Sequence, residues 1–203
     1  MTTFGAILVA GGRASRVGGA TKPLFEVGGR TLLTTAVEAV HAIDADPVIV
    51  VAPVLDTALA VTWVREDPPF GGPAAGIVAA LETWPEGSDP DWTVLLACDL
   101  PSADAAVQRL VTDMMLLPAD IDGVCLADAS ARPQWLIGVY RTAKLRAAAS
   151  ALADRGRDAP VRALVDDLAL AVISVADALT RDVDTWEDLA RARSERTPTE
   201  EAP

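Results

Sequence analysis

Residues 10–24 read Ala-Gly-Gly-Arg-Ala-Ser-Arg-Val-Gly-Gly-Ala-Thr-Lys-Pro-Leu, and the first acidic residue of the chain, Glu26, comes only after them. Glycines let backbone come close to a phosphate and aim successive N–H groups at it, while Arg13, Arg16 and Lys22 supply the opposing charge. In a chain whose net charge is −12, an acid-free stretch of this kind is a local site for an anionic ligand, and its make-up suits a triphosphate. A solvated basic loop is the plainer reading of the same residues. The stretch is not a Walker loop, because Lys22 lies between Thr21 and Pro23 where that motif needs Gly-Lys-Ser/Thr. It also lacks the G-x-G-x-x-G spacing of dinucleotide enzymes, which demotes hydride transfer.

Asp99 ends the apolar run 94–98 (VLLAC) and precedes Pro101. Its carboxylate is expected at the carboxyl end of a strand, beside the glycine loop if the two strands are neighbours. Mg2+ takes one or two carboxylates together with nucleotide phosphate oxygens, and Asp99 is the leading candidate for that role. The competing reading is an aspartate capping a helix that starts near Asp104. Gly71-Gly72-Pro73 falls between an expected strand and helix, where glycine leaves room for a purine and its ribose against backbone; a ligand-free tight loop is the alternative. His41, the only histidine, sits late in a helical pattern and reads as a surface residue. Trp63, Trp84, Trp92 and Trp186 read as packing or edge residues. Cys98 and Cys125, each inside an apolar run, read as buried strand cysteines rather than a disulfide or a zinc site.

The elements that would position these residues follow from periodicity. Continuous apolar runs predict strands over 5–9, 47–52, 61–65, 92–98, 123–127, 135–140 and 169–175. Helical spacing predicts helices over 31–43, 74–84, 104–116, 144–153, 160–168 and 185–193. Strands buried on both faces and alternating with helices imply the doubly wound α/β class, in which ligands bind outside the carboxyl ends of the strands. With 203 residues, 51% of them hydrophobic, and a mean hydropathy of +0.28, one domain with a sizeable core is expected over 1–193. The polar residues 194–203 are expected to be a flexible tail. The acidic balance disfavours nucleic acid as a partner. No apolar run is long enough for a membrane helix and the N-terminus lacks a basic secretory start, so a cytoplasmic location is expected.

The motifs together resemble the molybdenum cofactor guanylyltransferases, within the Rossmann-like nucleotidyltransferases. That family opens with a strand and L-A-G-G-x-x-x-R-M-G-x-x-K-P/x-L; here the string is Val9-Ala10-Gly11-Gly12, Arg16-Val17-Gly18-Gly19, Lys22-Pro23-Leu24. Gly72-Pro73-Ala74-Ala75-Gly76-Ile77 resembles its G-P-L-A-G-I, and Asp99-Leu100-Pro101 its D-M-P. Arg132-Pro133-Gln134-Trp135 resembles the start of the acceptor side, and Asp182-Val183-Asp184-Thr185 its N-x-N-T. The resemblance spans residues 4–193 and implies a single three-layer domain with a mostly parallel sheet and helices on both faces.

It also implies roles. Val9, Ala10, Gly11, Gly12, Gly19, Lys22, Gly72, Pro73 and Gly76 would bind GTP, and Asp67 matches an aspartate associated with the nucleoside. Arg16, Lys22 and Asp99 would be catalytic. Aspartates at 182 and 184 replace the family's asparagines; two carboxylates near Asp99 repel one another unless a divalent cation lies between them. One of the pair is therefore expected at Mg2+ and the other as cap of the helix near Thr185, the alternative being that both serve the helix dipole. The implied reaction is attack of the molybdopterin phosphate on the α-phosphorus of GTP with release of pyrophosphate. Molybdenum cofactor delivery proteins or apo-molybdoenzymes are the implied partners. Cytidylyl or sugar-1-phosphate nucleotidyl transfer on the same scaffold, or a non-catalytic nucleotide-binding module, are the competing functions.

Overall fold

A computed structural model describes residues 2–11, 20–85 and 87–196. The chain runs through β1 (Phe4–Val9), β2 (Glu26–Val27), β3 (Arg30–Thr31), α1 (Leu32–His41), β4 (Val48–Val51), β5 (Thr62–Val64) and α2 (Pro73–Glu82). It continues through β6 (Trp92–Ala97), α3 (Ala103–Met114), β7 (Gly123–Ala127), β8 (Pro133–Arg141), α4 (Thr142–Ala151), β9 (Leu170–Ser174) and α5 (Trp186–Arg196). Seven strands form one sheet in the order β5-β4-β1-β6-β8-β7-β9. Only β8 runs against the rest, so the sheet is mostly parallel, as the apolar runs require.

Because side chains alternate across a strand, each central strand feeds two cores. Ala6 and Leu8 of β1, Val48 and Val50 of β4, and Val94 and Leu96 of β6 pack with α1 and α3 on one face. Ile7, Val9, Ile49, Val51 and Leu95 pack with α2 and α4 on the other. This is the three-layer arrangement. Each fully buried Leu, Ile or Val in these layers contributes roughly 1.5–3 kcal/mol. The Thr31 hydroxyl starts α1 by accepting the Thr34 N–H at 3.0 Å.

Two expectations need correction, and one element stands beyond them. The helix expected over 160–168 is one 3-10 turn, Val161–Leu164. Leu164 and Val165 both plug the α2/α4 core, and the backbone leaves helical geometry at Val165 (φ −131°), turning the chain toward β9. The β2–β3 hairpin was not foreseen, since two-residue strands carry no periodicity; its signal was Gly28-Gly29, whose φ of +61° and +78° make the tight turn that glycine pairs favour. At the C-terminal end, α5 continues through Arg196, so residues 194–196 are helical and 197–203 lie outside the described residues. No described helix is long and apolar enough to cross a membrane.

One glycine fixes how closely α2 sits on the sheet. A Cβ on Gly76 would lie 2.5 Å from Val51 Cγ1. Val51 is buried and β-branched, and it has little rotameric freedom to retreat. Gly76→Ala would gain at most about 1 kcal/mol of helix propensity against roughly 1–3 kcal/mol of overpacking. The variant is therefore expected to unfold at lower urea concentration than wild type, and Val51→Ala introduced beside it should recover part of the loss. Equal midpoints for wild type and Gly76→Ala would show that the helix is not in fact wedged against β4.

Candidate active site

The carboxyl ends of β5, β4, β1 and β6 open into one cleft of about 500 Å³, within the range of small-molecule sites. Two ladder hydrogen bonds extend beyond β1: Ala10 N–H donates to the Val51 carbonyl at 3.2 Å and Cys98 N–H to the Val9 carbonyl at 3.0 Å. They hold the start of the glycine loop between β4 and β6. Ala10 and Gly11 form the floor, and Gly72 and Pro73 form a wall at the start of α2. Gly72 has φ +91°, a conformation that glycine adopts without strain.

Lys22 reaches the cleft from a 3-10 turn, Lys22–Leu24, with Pro23 at its start. Phe25 N–H donates to the Lys22 carbonyl at 2.9 Å, and Leu32 N–H to the Phe25 carbonyl at 2.9 Å. A third small core of Val27, Leu32, Val183, Leu189 and Ala192 then ties this turn to α5. The rings of Phe25 and Trp186 lie 5.1 Å apart, and Arg193 Nε donates to the Glu26 carbonyl at 2.9 Å.

The same small core places the carboxylates. Val183 is 1% exposed, and its N–H donates to the Asp99 carbonyl at 2.9 Å. One carboxylate oxygen from each of Asp99, Asp182 and Asp184 lies within 4.8 Å of the others; these are the hard oxygen donors a divalent cation takes. Lys22 Nζ forms an ion pair with Asp184 Oδ1. Burial, and then the Asp182 charge, push the Asp99 carboxyl up to about 6, with Lys22 opposing. Burial, and then Asp184, also raise Asp182. The helix cap expected of Asp182 or Asp184 is supplied instead by Thr185, whose Oγ1 accepts the Asp188 N–H at 3.1 Å while Asp188 Oδ2 accepts the Thr185 N–H at 2.9 Å. Threonine followed three residues later by an acid makes a reciprocal cap, so neither earlier aspartate is needed there.

Of the residues singled out in the sequence, Val9, Ala10, Gly11, Lys22, Gly72, Pro73 and Asp99 line the cleft, and Asp182 and Asp184 join Asp99 at one end of it. Gly76 lies behind the wall, against Val51. Asp67 is exposed and is not among the lining residues. Gly12, Arg16 and Gly19 lie outside the described residues. Cys98 and Cys125 are buried and free; burial pushes the Cys98 thiol far up and Cys125 to about 11, so neither is a ready nucleophile. His41 is exposed at the end of α1. Trp135 is half-buried on β8, packs against the α2/α4 core, and accepts the Tyr140 hydroxyl at its carbonyl at 2.9 Å. Arg65, Glu66 and Phe70 also line the cleft and were not anticipated. For Arg65 and Glu66 the signal was position, charged residues immediately after an apolar run at a strand's carboxyl end; Phe70, farther along the loop, carried none.

A raised Asp99 pKa means that the folded chain holds this proton to a higher pH than the unfolded chain does. The group's contribution to stability is then complete below about pH 4 and is lost as pH rises through about 6. Asp99→Asn removes that loss. In metal-free buffer near pH 7.5 the variant is expected to melt higher than wild type, by roughly 2–4 °C per kcal/mol relieved, and the difference should shrink toward pH 4. A variant no more stable than wild type at neutral pH would refute the cost of holding a buried, crowded charge at Asp99.

Residues 6–172 match the MobA-like NTP transferase domain family. The chain is 35% identical over 151 residues to a probable molybdenum cofactor guanylyltransferase of Synechococcus elongatus, covering 69% of this chain and 73% of that one. Among solved structures it is similar to molybdopterin-guanine dinucleotide biosynthesis protein A of Archaeoglobus fulgidus, with 17% identity, TM-score 0.66, and 94% and 97% of the two chains covered. It is also similar to the 2-C-methyl-D-erythritol 4-phosphate cytidylyltransferase of Thermus thermophilus, with 19% identity, TM-score 0.64, and 96% and 98% covered. These last two likenesses carry the fold alone; the domain match and the Synechococcus relative show that the chain belongs to the MobA-like NTP transferase family.

Proposed function

We propose that the protein transfers GMP from GTP to the terminal phosphate of molybdopterin, releasing pyrophosphate, with Mg2+ as its metal. The observation that carries this reading is the joining of Lys22 and three clustered carboxylates at one end of a cleft large enough for a nucleotide. The chain is also 35% identical to a protein named as a guanylyltransferase. Relatives of the same fold include a cytidylyltransferase, so the base preference is what experiment must decide.

A phosphate nucleophile is already ionised at neutral pH and needs no side-chain base, which fits a cleft whose described lining offers no histidine and only a buried, protonated thiol. Catalysis then rests on positioning and charge neutralisation. Asp99, with Asp182 or Asp184, would hold Mg2+, which when bound offsets negative charge on the nucleotide phosphates. Lys22 is held by Asp184 in the structure and would exchange that carboxylate for a phosphate oxygen, stabilising the transition state and the departing pyrophosphate. Ala10, Gly11 and Gly72 present backbone on which the nucleoside can lie. Arg16, Gly12 and Gly19 complete the phosphate cradle in this reading.

The test is pyrophosphate release from GTP, CTP and ATP, with and without molybdopterin, at varied Mg2+. GTP is expected to lead by a wide margin; a CTP preference would replace guanylyl with cytidylyl transfer. Lys22→Ala should reduce turnover about tenfold or more, the equivalent of about 1.4 kcal/mol of transition-state stabilisation, while leaving the far-ultraviolet circular dichroism intact. Asp182→Asn and Asp184→Asn keep an acceptor oxygen and delete charge. At least one is expected to raise the Mg2+ concentration for half-maximal rate; an unchanged Mg2+ dependence in both would leave Asp99 as the protein's one metal carboxylate.

A further inference from the structure

Along the cleft, charge is concentrated at two ends. Among the described lining residues the charged side chains are Lys22 and Asp99 at one end and Arg65 and Glu66 at the other. The β5 strand that delivers Arg65 and Glu66 is three strands from β6 in the sheet, which at 4.7–4.9 Å per strand is about 14 Å. Between them the described walls are apolar side chains and backbone apart from Thr21, with Val51, Pro53 and Leu55 nearest the β5 end. A nucleoside triphosphate with its phosphates on Lys22 therefore carries its base toward Glu66.

Glu66 is half-buried and fixed. Its Oε1 accepts the Phe70 N–H at 2.9 Å, within a loop where Phe70 takes φ +69°, an unusual conformation for a bulky residue. Its Oε2 stands over the first turn of α2, 3.9 Å from where a Cβ on Gly76 would be. The side chain is thus held by one oxygen at the base end of the cleft.

We infer that Glu66 selects the nucleobase, its carboxylate accepting the adjacent N1–H and 2-amino donors of guanine. The inference rests on the guanylyl reading above and assigns its specificity to one side chain. An ionised carboxylate only accepts hydrogen bonds. Guanine is the one common base that offers two adjacent donors on its pairing edge; adenine presents a ring acceptor there and cytosine another, each leaving the carboxylate opposed by a lone pair. A site built around a hydrogen bond rejects analogues lacking it far more strongly than an apolar pocket does.

The experiment is equilibrium binding of the α,β-methylene analogues of GTP, ITP, XTP, ATP and CTP, which cannot transfer, to wild type, Glu66→Gln and Glu66→Ala. Inorganic tripolyphosphate serves as a base-free control. Wild type should bind the GTP analogue about tenfold or more tighter than the ITP analogue, which lacks the 2-amino group, and tighter still than the ATP analogue. Gln keeps an oxygen for Phe70 but also offers an N–H to the 2-oxo group of xanthine, so Glu66→Gln should bind the XTP analogue better than the GTP analogue. Glu66→Ala should weaken the GTP analogue without favouring XTP. Tripolyphosphate affinity should be the same in all three proteins. A GTP-over-XTP preference that survives Glu66→Gln overturns the assignment while leaving the guanylyl reading in place. Loss of tripolyphosphate binding in both variants makes the role structural and likewise overturns it. A wild-type preference for the CTP analogue overturns the guanylyl reading, and this inference with it.

Discussion

The hydrogen bond from the Val183 amide to the Asp99 carbonyl is the contact on which the reactive end of the cleft depends. It joins the end of a central strand to a segment that arrives only after the sheet is complete. It is kept dry by the Val183 side chain in the small core shared with β2, α1 and α5. With Val183 buried there, its chain neighbours Asp182 and Asp184 come to lie beside Asp99. The same core fixes the turn that carries Lys22. One modest apolar cluster thus aligns groups from three distant stretches of chain, and the two large cores flanking the sheet serve chiefly to hold the strand ends that it builds on.

That alignment works against the stability of the protein alone. Three acidic side chains are brought together with a single described cation among them, and the raised Asp99 and Asp182 pKa values reflect first the burial and then the repulsion that the fold tolerates. Sites preorganised for charged ligands commonly hold groups in a state that only the ligand relieves. The Lys22–Asp184 pair offsets part of this in the ligand-free protein, and in doing so keeps the lysine extended into the cleft rather than collapsed onto the surface.

Much of this was legible in the sequence because the physics was local. The apolar runs of β1, β4 and β6, the helical spacing of α1 to α4, and the cation-rich glycine loop each declare themselves within a dozen residues. Asp99 was legible because it ends such a run. What escaped needed tertiary context. Residues 160–168 have helical spacing, yet a single turn suffices to bury Leu164 and Val165. Whether Asp182 or Asp184 caps α5 depended on Thr185 and Asp188 having already done so. Glu66 and Asp67 are neighbours of like charge, and only the path of the chain after β5 shows that Glu66 lines the cleft and Asp67 does not.

The position of α5 in the chain has a temporal corollary. Chains emerge from the ribosome N-terminus first, and domains consolidate as their segments become available. The strands that shape the cleft and the turn bearing Lys22 are all synthesised early, whereas Asp182, Val183, Asp184 and α5 come last among the described elements. A nascent chain can assemble the sheet and its large cores while the charge-bearing corner is still missing. The crowding of Asp99, Asp182 and Asp184 is therefore completed last, by a C-terminal segment that docks onto strands made earlier, and the growing polypeptide is spared that repulsion until its framework can withstand it.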